Sequence, residues 1–240
     1  MRSSARVGAV QPSQRQRGTG AGAASEVTGP IMQDGRVTFA FIRHGQTDWN
    51  RDDKLQGSSD IPLNAQGREQ AHEAAGILAD GNWEVVVSSP LLRARETAKI
   101  IAHDLGLELG PSYPALVERD YGPLEGTSSS ETVARWPHRD YPGAESLDSV
   151  VSRGLAGLAK VADDFRDRDV VIVAHGTIIR YTLAALAGRP LDAIRNGSIS
   201  TFRLDGDRWE VLTVNGEPLV PLTDAPAAAA PTADPRGSAG

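Results

Sequence analysis

Apolar positions along the chain fall into short runs and one-sided stripes separated by polar breaks. The first run, Thr38-Phe39-Ala40-Phe41-Ile42, stops abruptly at Arg43-His44-Gly45. A helix needs about ten residues or more, so a run this short, bounded by glycine, reads as a buried strand. A long polar loop follows from Asp48 to Pro62. Asn64 then reads as the N-cap of a helix with Ala71, Ala74, Ala75 and Leu78 on one face and Gly81 as its stop. Trp83 to Val87 reads as a second strand. Ser89 as cap and Pro90 at the first helical position predict a helix from there, with Leu91, Ala94, Ala98, Ile101 and Leu105 inward and Gly106 as terminator.

Leu107 to Leu109 reads as a further short strand. Between Ala115 and Pro142 the pattern is broken by Gly122, Pro123, Gly126, Pro137 and Pro142. A segment that long and irregular is expected to be a lid or substrate loop. A helix resumes near Ser146, with Leu147, Val151, Leu155, Leu158, Ala162 and Phe165 predicted inward. Asp169 to Gly176 then repeats the opening theme, an apolar strand running into His175 and Gly176. Thr177 to Ala187 reads as helix, and Ser200 to Leu204 with Trp209 to Val214 as a hairpin turned by Asp205-Gly206-Asp207. Strands alternating with helices over short joins predict an α/β fold: a three-layer α/β/α domain with a mostly parallel central sheet.

Composition trims the candidates. The domain is expected over residues 36–216, between a disordered N-terminal tail, 1–35, rich in Ser, Gly, Ala, Gln and Arg, and a disordered Pro/Ala-rich tail, 217–240. No apolar h-region follows Arg2 and Arg6, and Met32 is expected as an alternative start. A net charge of −6 argues against nucleic-acid or membrane-surface partners. Cysteine is absent, which excludes disulfides and thiolate metal sites and is compatible with a cytoplasmic location. No apolar run reaches the roughly eighteen residues of a spanning helix.

Candidate chemistry gathers at strand ends: Arg43-His44 after one, Ser88-Ser89-Pro90 with Arg93 a turn later after another, and His175 after a third. A doubly wound sheet brings such ends to one edge, where ligands bind. Two guanidiniums beside two imidazoles suit a phosphate dianion, and Arg93 at a helix start adds its fork to backbone N–H groups that favour anions. A histidine there can attack a phosphoryl group. Gly45 is expected to let the backbone turn or approach a ligand closely. His72 and His103 lie on polar helix faces and are expected to be solvated, whereas His138 falls in the expected lid.

The residues carry a resemblance. Arg43-His44-Gly45-Gln46-Thr47-Asp48-Trp49-Asn50, Leu55-Gln56-Gly57 with Asp60-Ile61-Pro62-Leu63, and Ser88-Ser89-Pro90-Leu91-Leu92-Arg93-Ala94 come first. Glu118-Arg119-Asp120-Tyr121-Gly122 with Leu124-Glu125-Gly126, and Ala174-His175-Gly176, complete the set. Together they resemble the histidine phosphatase superfamily, in its phosphoglycerate-mutase-like form. The resemblance implies His44 as a nucleophile that becomes phosphohistidine, Arg43, Arg93 and His175 as the phosphate pocket, and Glu118 as the proton donor. It extends substrate binding to Asn50, Gln56, Gly57, Arg119, Tyr121 and Gly176, and implies no metal and no cofactor.

The expected activity is hydrolysis of small phosphorylated metabolites. The alternative is a bisphosphate-dependent phosphoglycerate mutase, for which Glu118-Arg119 and Tyr121-Gly122 speak. Against it, Thr127 to Ala144 contains no lysine and only Arg135, His138 and Arg139 as basic residues. A non-catalytic phospho-ligand module would be expected to lack a pocket residue, and none is missing. A homodimer joined through the last hairpin is the remaining partner expectation.

Overall fold

The computed structural model describes residues 36–220. Residues 1–35 and 221–240, where most of the expected tails fall, lie outside the described residues. β1 (Arg36–Arg43) is followed by the short helix α1 (Asp48–Arg51), inside the stretch expected to be polar loop, and by α2 (Ala65–Leu78). Next come β2 (Val85–Ser88), α3 (Leu92–Leu105) and β3 (Glu108–Ser112). The irregular stretch holds two 3₁₀ turns, Pro114–Leu116 and Gly122–Leu124, and the helix α4 (Ser129–Arg135). Then follow α5 (Leu147–Asp164), β4 (Val170–Ala174), α6 (Gly176–Ala187), β5 (Ile199–Asp205) and β6 (Arg208–Val211). A small ribbon, β7 (Thr213–Val214) with β8 (Glu217–Pro218), carries the fold past the expected boundary at 216.

The main sheet has the order β3-β2-β4-β1-β5-β6. β3, β2, β4 and β1 are parallel, and β5 and β6 add an antiparallel edge. Alternation along each strand sorts the core into two faces, because successive side chains point to opposite sides. Phe39, Phe41, Val85, Val87, Val170 and Ile172 pack with Val150, Leu158, Val161, Ile178 and Leu183 of α5 and α6. Ala40, Ile42, Val86, Val171 and Val173 pack with Ala74, Leu78, Ala94, Ala98 and Ile101 of α2 and α3. This is a three-layer α/β/α fold with a mostly parallel sheet. β1 lies directly beside β4, in register at Arg43 and Ala174, so the chain leaves both strands side by side into His44 and His175. Among the described residues no helix is long and apolar enough to cross a membrane.

Three local expectations need correction. Ser89 is not the N-cap of α3, although its Oγ accepts the Leu91 N–H at 3.3 Å: the N-cap position is Leu91, without a side-chain bond of its own, and Asp60 Oδ1 reaches across from the polar loop to accept the Leu92 N–H at 2.7 Å. The fully buried face of α5 is Val150, Gly154, Gly157, Leu158 and Val161, so of the predicted stripe Leu158 lies on it, Ala162 and Phe165 pack against it partly buried, and Leu147, Val151 and Leu155 fall outside it. Glycine scores poorly in an apolar stripe, yet here it sets the approach: a Cβ on Gly154 would stand 2.1 Å from Thr182 Oγ1 of α6. Gly45, for its part, makes room for protein rather than for a ligand. A Cβ there would stand 2.1 Å from the Gly67 carbonyl oxygen of α2.

Candidate active site

The ends of β1, β2 and β4 build the centre. His44 and His175 are buried, with ring centroids 5.1 Å apart at 60°. His44 Nδ1 lies 2.7 Å from the Gly45 carbonyl oxygen. A carbonyl only accepts, so Nδ1 carries the proton and the Nε2 lone pair is free. Arg93 Nε donates to that lone pair at 3.2 Å. Burial pushes the His44 ring well below its ordinary value, and the charges of Arg93 and Arg43 push the same way. The ring is therefore neutral at neutral pH. His175 is likewise held well below the ordinary value, first by burial and then by Arg93 and His44. Its Nε2 pairs with Ser89 Oγ at 2.8 Å, which is where the hydroxyl expected to cap α3 is engaged.

Arg93 is fully buried although charged. Its Nη1 and Nη2 donate to the carbonyls of Ser59 and Gly57 at 2.9 and 2.8 Å, so Gly57 acts on the site through its backbone. Burial lowers this guanidinium to about 10, against the pull of Glu118 and Asp60. Arg43 Nη1 donates to Ile194 O at 2.7 Å, while its buried Nε has no partner. Thr97 Oγ1 accepts from Gly45 N at 3.1 Å and donates to Arg93 O at 2.8 Å, tying the exit of β1 to α3. Buried polar atoms are normally paired. Among the described residues seven buried side-chain atoms are not, and three of them, Arg43 Nε, His175 Nδ1 and Gln56 Nε2, belong to the predicted site.

A cavity of about 320 Å³ opens over this centre and is lined by Arg43, His44, Asn50, Gln56, Glu118, Tyr121 and Gly176 among others. Arg93 and His175 stand against His44 without lining the cavity. Glu118 is buried with Oε2 accepting from Thr177 N at 2.9 Å, and Oε1 from Ile178 N at 3.2 Å and Arg119 N at 2.7 Å. Its carboxylate thus sits on the N-terminus of α6, a favourable place for negative charge. Tyr121 OH pairs with Thr177 Oγ1 at 2.7 Å, and burial raises its phenol above the ordinary value. Asn50 closes the α1 capping box with Thr47, and Gln56 Oε1 accepts from Thr47 Oγ1 at 2.8 Å.

Arg119 does not line the cavity. It is buried, donating to Glu145 O at 2.7 Å and Arg139 O at 3.0 Å with its guanidinium 4.8 Å from the Tyr141 ring centre. His138 is exposed and does not line the cavity, and His72 and His103 are exposed partners of Asp104. Asn196 is a site residue the sequence reading did not find. It donates to His44 O at 3.0 Å and Asn50 Oδ1 at 3.1 Å, fixing both from the loop before β5. Its only local signal, Asn before Gly197, marks a turn. Lys54, Arg139 and Arg180 also line the cavity.

Comparison with known proteins agrees with this arrangement. Residues 39–217 match the family model of the histidine phosphatase superfamily, branch 1. The chain is 39% identical over 183 residues to an uncharacterized phosphatase, PhoE, of Bacillus subtilis, covering 75% of this chain and 94% of that protein. It is 33% identical over 194 residues to a 2,3-bisphosphoglycerate-dependent phosphoglycerate mutase of Methylobacterium radiotolerans, covering 70% and 90%. Its fold matches a mycobacterial glucosyl-3-phosphoglycerate phosphatase with a TM-score of 0.65 at 29% identity, over 75% of this chain and 99% of the other. Paired strand-end histidines, a buried arginine on the first of them and a match through the whole described domain converge: the chain belongs to branch 1 of the histidine phosphatase superfamily.

Proposed function

We propose that the protein hydrolyses phosphomonoesters of small metabolites through a phosphohistidine formed on His44. The observation that carries this reading is the state of the His44 ring: neutral, tied at Nδ1 to Gly45 O, with its Nε2 lone pair held only by Arg93. When a phosphoryl group enters, the hydrogen bond from Arg93 Nε–H changes acceptor from that lone pair to a phosphoryl oxygen, Arg93 keeps its proton, and the lone pair is freed for attack. The Nε2–P bond forms as the bond from phosphorus to the ester oxygen breaks. Arg43, Arg93 and the unpartnered Nδ1 of His175 stabilise the charge on the equatorial oxygens, a task of position and electrostatics.

The leaving alkoxide needs a proton, and Glu118, which lines the same cavity as His44, supplies it. Water then attacks phosphorus, its proton passes back to Glu118, the Nε2–P bond breaks and inorganic phosphate leaves. The mutase reading draws on relatives that bear that name. It loses ground because Arg119, part of its loop signature, is spent on Glu145 O and Arg139 O.

The test is turnover on p-nitrophenyl phosphate and a panel of sugar phosphates and phosphoglycerates, with His44→Ala as the blank. Phosphate release that disappears in the blank is the expected result. Interconversion of the two monophosphoglycerates under bisphosphate, with negligible phosphate release, would replace the hydrolase reading with the mutase one.

A further inference from the structure

The loop that carries Glu118 is gripped by one side chain that touches none of the cavity. Arg153 of α5 donates from Nη1 to Val117 O at 2.6 Å and Ala115 O at 3.0 Å, and from Nη2 to Glu118 O at 3.0 Å. Its Nε and Nη2 fork onto the two carboxylate oxygens of Glu145 at 2.8 and 2.9 Å. Glu145 continues the bracket: its N–H donates to Asp120 O at 2.8 Å, its Oε2 accepts Asp120 N at 3.3 Å, and its carbonyl accepts Arg119 Nε at 2.7 Å. Each residue from 117 to 120 is therefore tied to Arg153 or Glu145.

An ordinary surface ion pair contributes little, about 0–1 kcal/mol. This one differs in geometry. The Arg153 and Glu145 side chains are 21% and 16% exposed, and the guanidinium serves three carbonyls of the loop as well as the carboxylate. Burial alone would raise the Glu145 carboxyl, yet the bonds from Arg153 and Ser149 hold it below its ordinary value. A planar fork with five donors can satisfy that set, and a lysine cannot. Gly154, next in the chain, lets α5 lie close against α6, the helix whose N-terminus holds the Glu118 carboxylate. The main chain of Glu118 is thus fixed from α5 and its side chain from α6.

We infer that Arg153, with Glu145 as its counter-ion, is a positioning residue that sets where the Glu118 carboxyl stands over the phosphoryl site of His44. This rests on the proton-donor reading of Glu118. A displacement of about 1 Å at a reacting group costs up to roughly a hundredfold in rate. The loss falls on the step that needs the proton. An alkyl phosphate needs it, whereas p-nitrophenyl phosphate releases a stable anion without it.

The experiment compares kcat/KM on those two esters for Glu118→Gln, Arg153→Gln, Arg153→Lys, Glu145→Gln and the double variant Glu118→Gln/Arg153→Gln. Arg153→Gln is expected to lose roughly tenfold or more in kcat/KM on the alkyl ester and far less on the aryl ester, since that ratio excludes the dephosphorylation step the two esters share. Arg153→Lys recovers only part of that loss, and on the alkyl ester the double variant falls no lower than Glu118→Gln alone. Equal losses on both esters, or full additivity in the double variant, overturn the inference and leave Arg153 a structural bracket. Should Arg153→Gln fail to fold by circular dichroism, Glu145→Gln carries the same expectation and the same overturning result. If Glu118→Gln itself loses equally on both esters, the proton-donor reading fails and takes this inference with it, a pattern distinct from failure of Arg153 alone.

Discussion

Arg93 Nε donates to His44 Nε2 across 3.2 Å, from the first turn of α3 to the end of β1. In the proposed mechanism the pairing protects the lone pair and places a guanidinium where phosphoryl oxygens would sit. Replacing Arg93 with Gln removes one of the two charges that depress the His44 ring. The account predicts that the ring titrates at higher pH in that variant, by NMR, and that kcat/KM falls by roughly a hundredfold or more. An unchanged ring titration would separate the two side chains energetically.

The histidines also predict a pH dependence of stability. Both folded-state values lie well below the ordinary 6.5, so the unfolded chain binds the extra protons first. Unfolding free energy is then largest above about pH 6.5 and declines as the pH falls below it, by about 1 kcal/mol per histidine over the first unit. Urea denaturation at pH 7.5 and 5.5 measures this, and His44→Ala is expected to remove one histidine's share of the decline.

Gly67 offers a sign reversal. In a helix interior, Gly to Ala ordinarily stabilises by about 0.8–1.0 kcal/mol. A Cβ on Gly67 would stand 2.2 Å from the Gln46 carbonyl oxygen, a backbone atom that cannot swing aside. Gly67→Ala is therefore expected to lower the thermal midpoint, by about 1–3 kcal/mol of stability, and to lower activity through the displaced Gly45 turn. A more stable variant would contradict the packing described here.

The capping of α3 from a distance gives a milder prediction. Asp60→Ala removes the acceptor for Leu92 N, worth about 1 kcal/mol, and loosens the first turn on which Arg93 stands. The expected reading is a small drop in thermal midpoint with a rise in KM. Asp60→Asn, which keeps the oxygen, is expected to recover most of both.

These cases mark what local sequence could and could not reveal. β1 and β4 were legible because β-forming runs ending in His-Gly carry their own pattern, and parallel order followed from the alternation with helices. The positions of His44, His175, Arg43 and Arg93 came with them, since strand ends share an edge. Ser89 was misread because Ser-Pro before a helix is a local cap signal, and the acceptor that serves α3, Asp60, comes from a loop 32 residues away in the chain. The face of α5 was misread because Gly154 and Gly157, blank in any hydrophobic stripe, are the positions of closest approach. Arg119 had the right neighbours in sequence, but its side chain turns to Glu145 O and Arg139 O. Asn196 and Arg153 act through contacts whose partners lie far off in the chain, and no local pattern announces them.

The most direct measurement is chemical trapping of the intermediate. The enzyme is mixed with a phosphoryl-labelled ester it turns over, quenched in base within a turnover, and digested for mapping. The account predicts an acid-labile, base-stable label on the peptide that contains His44, absent in His44→Ala. Label on another residue, or turnover with no label on nitrogen at any time, would contradict it.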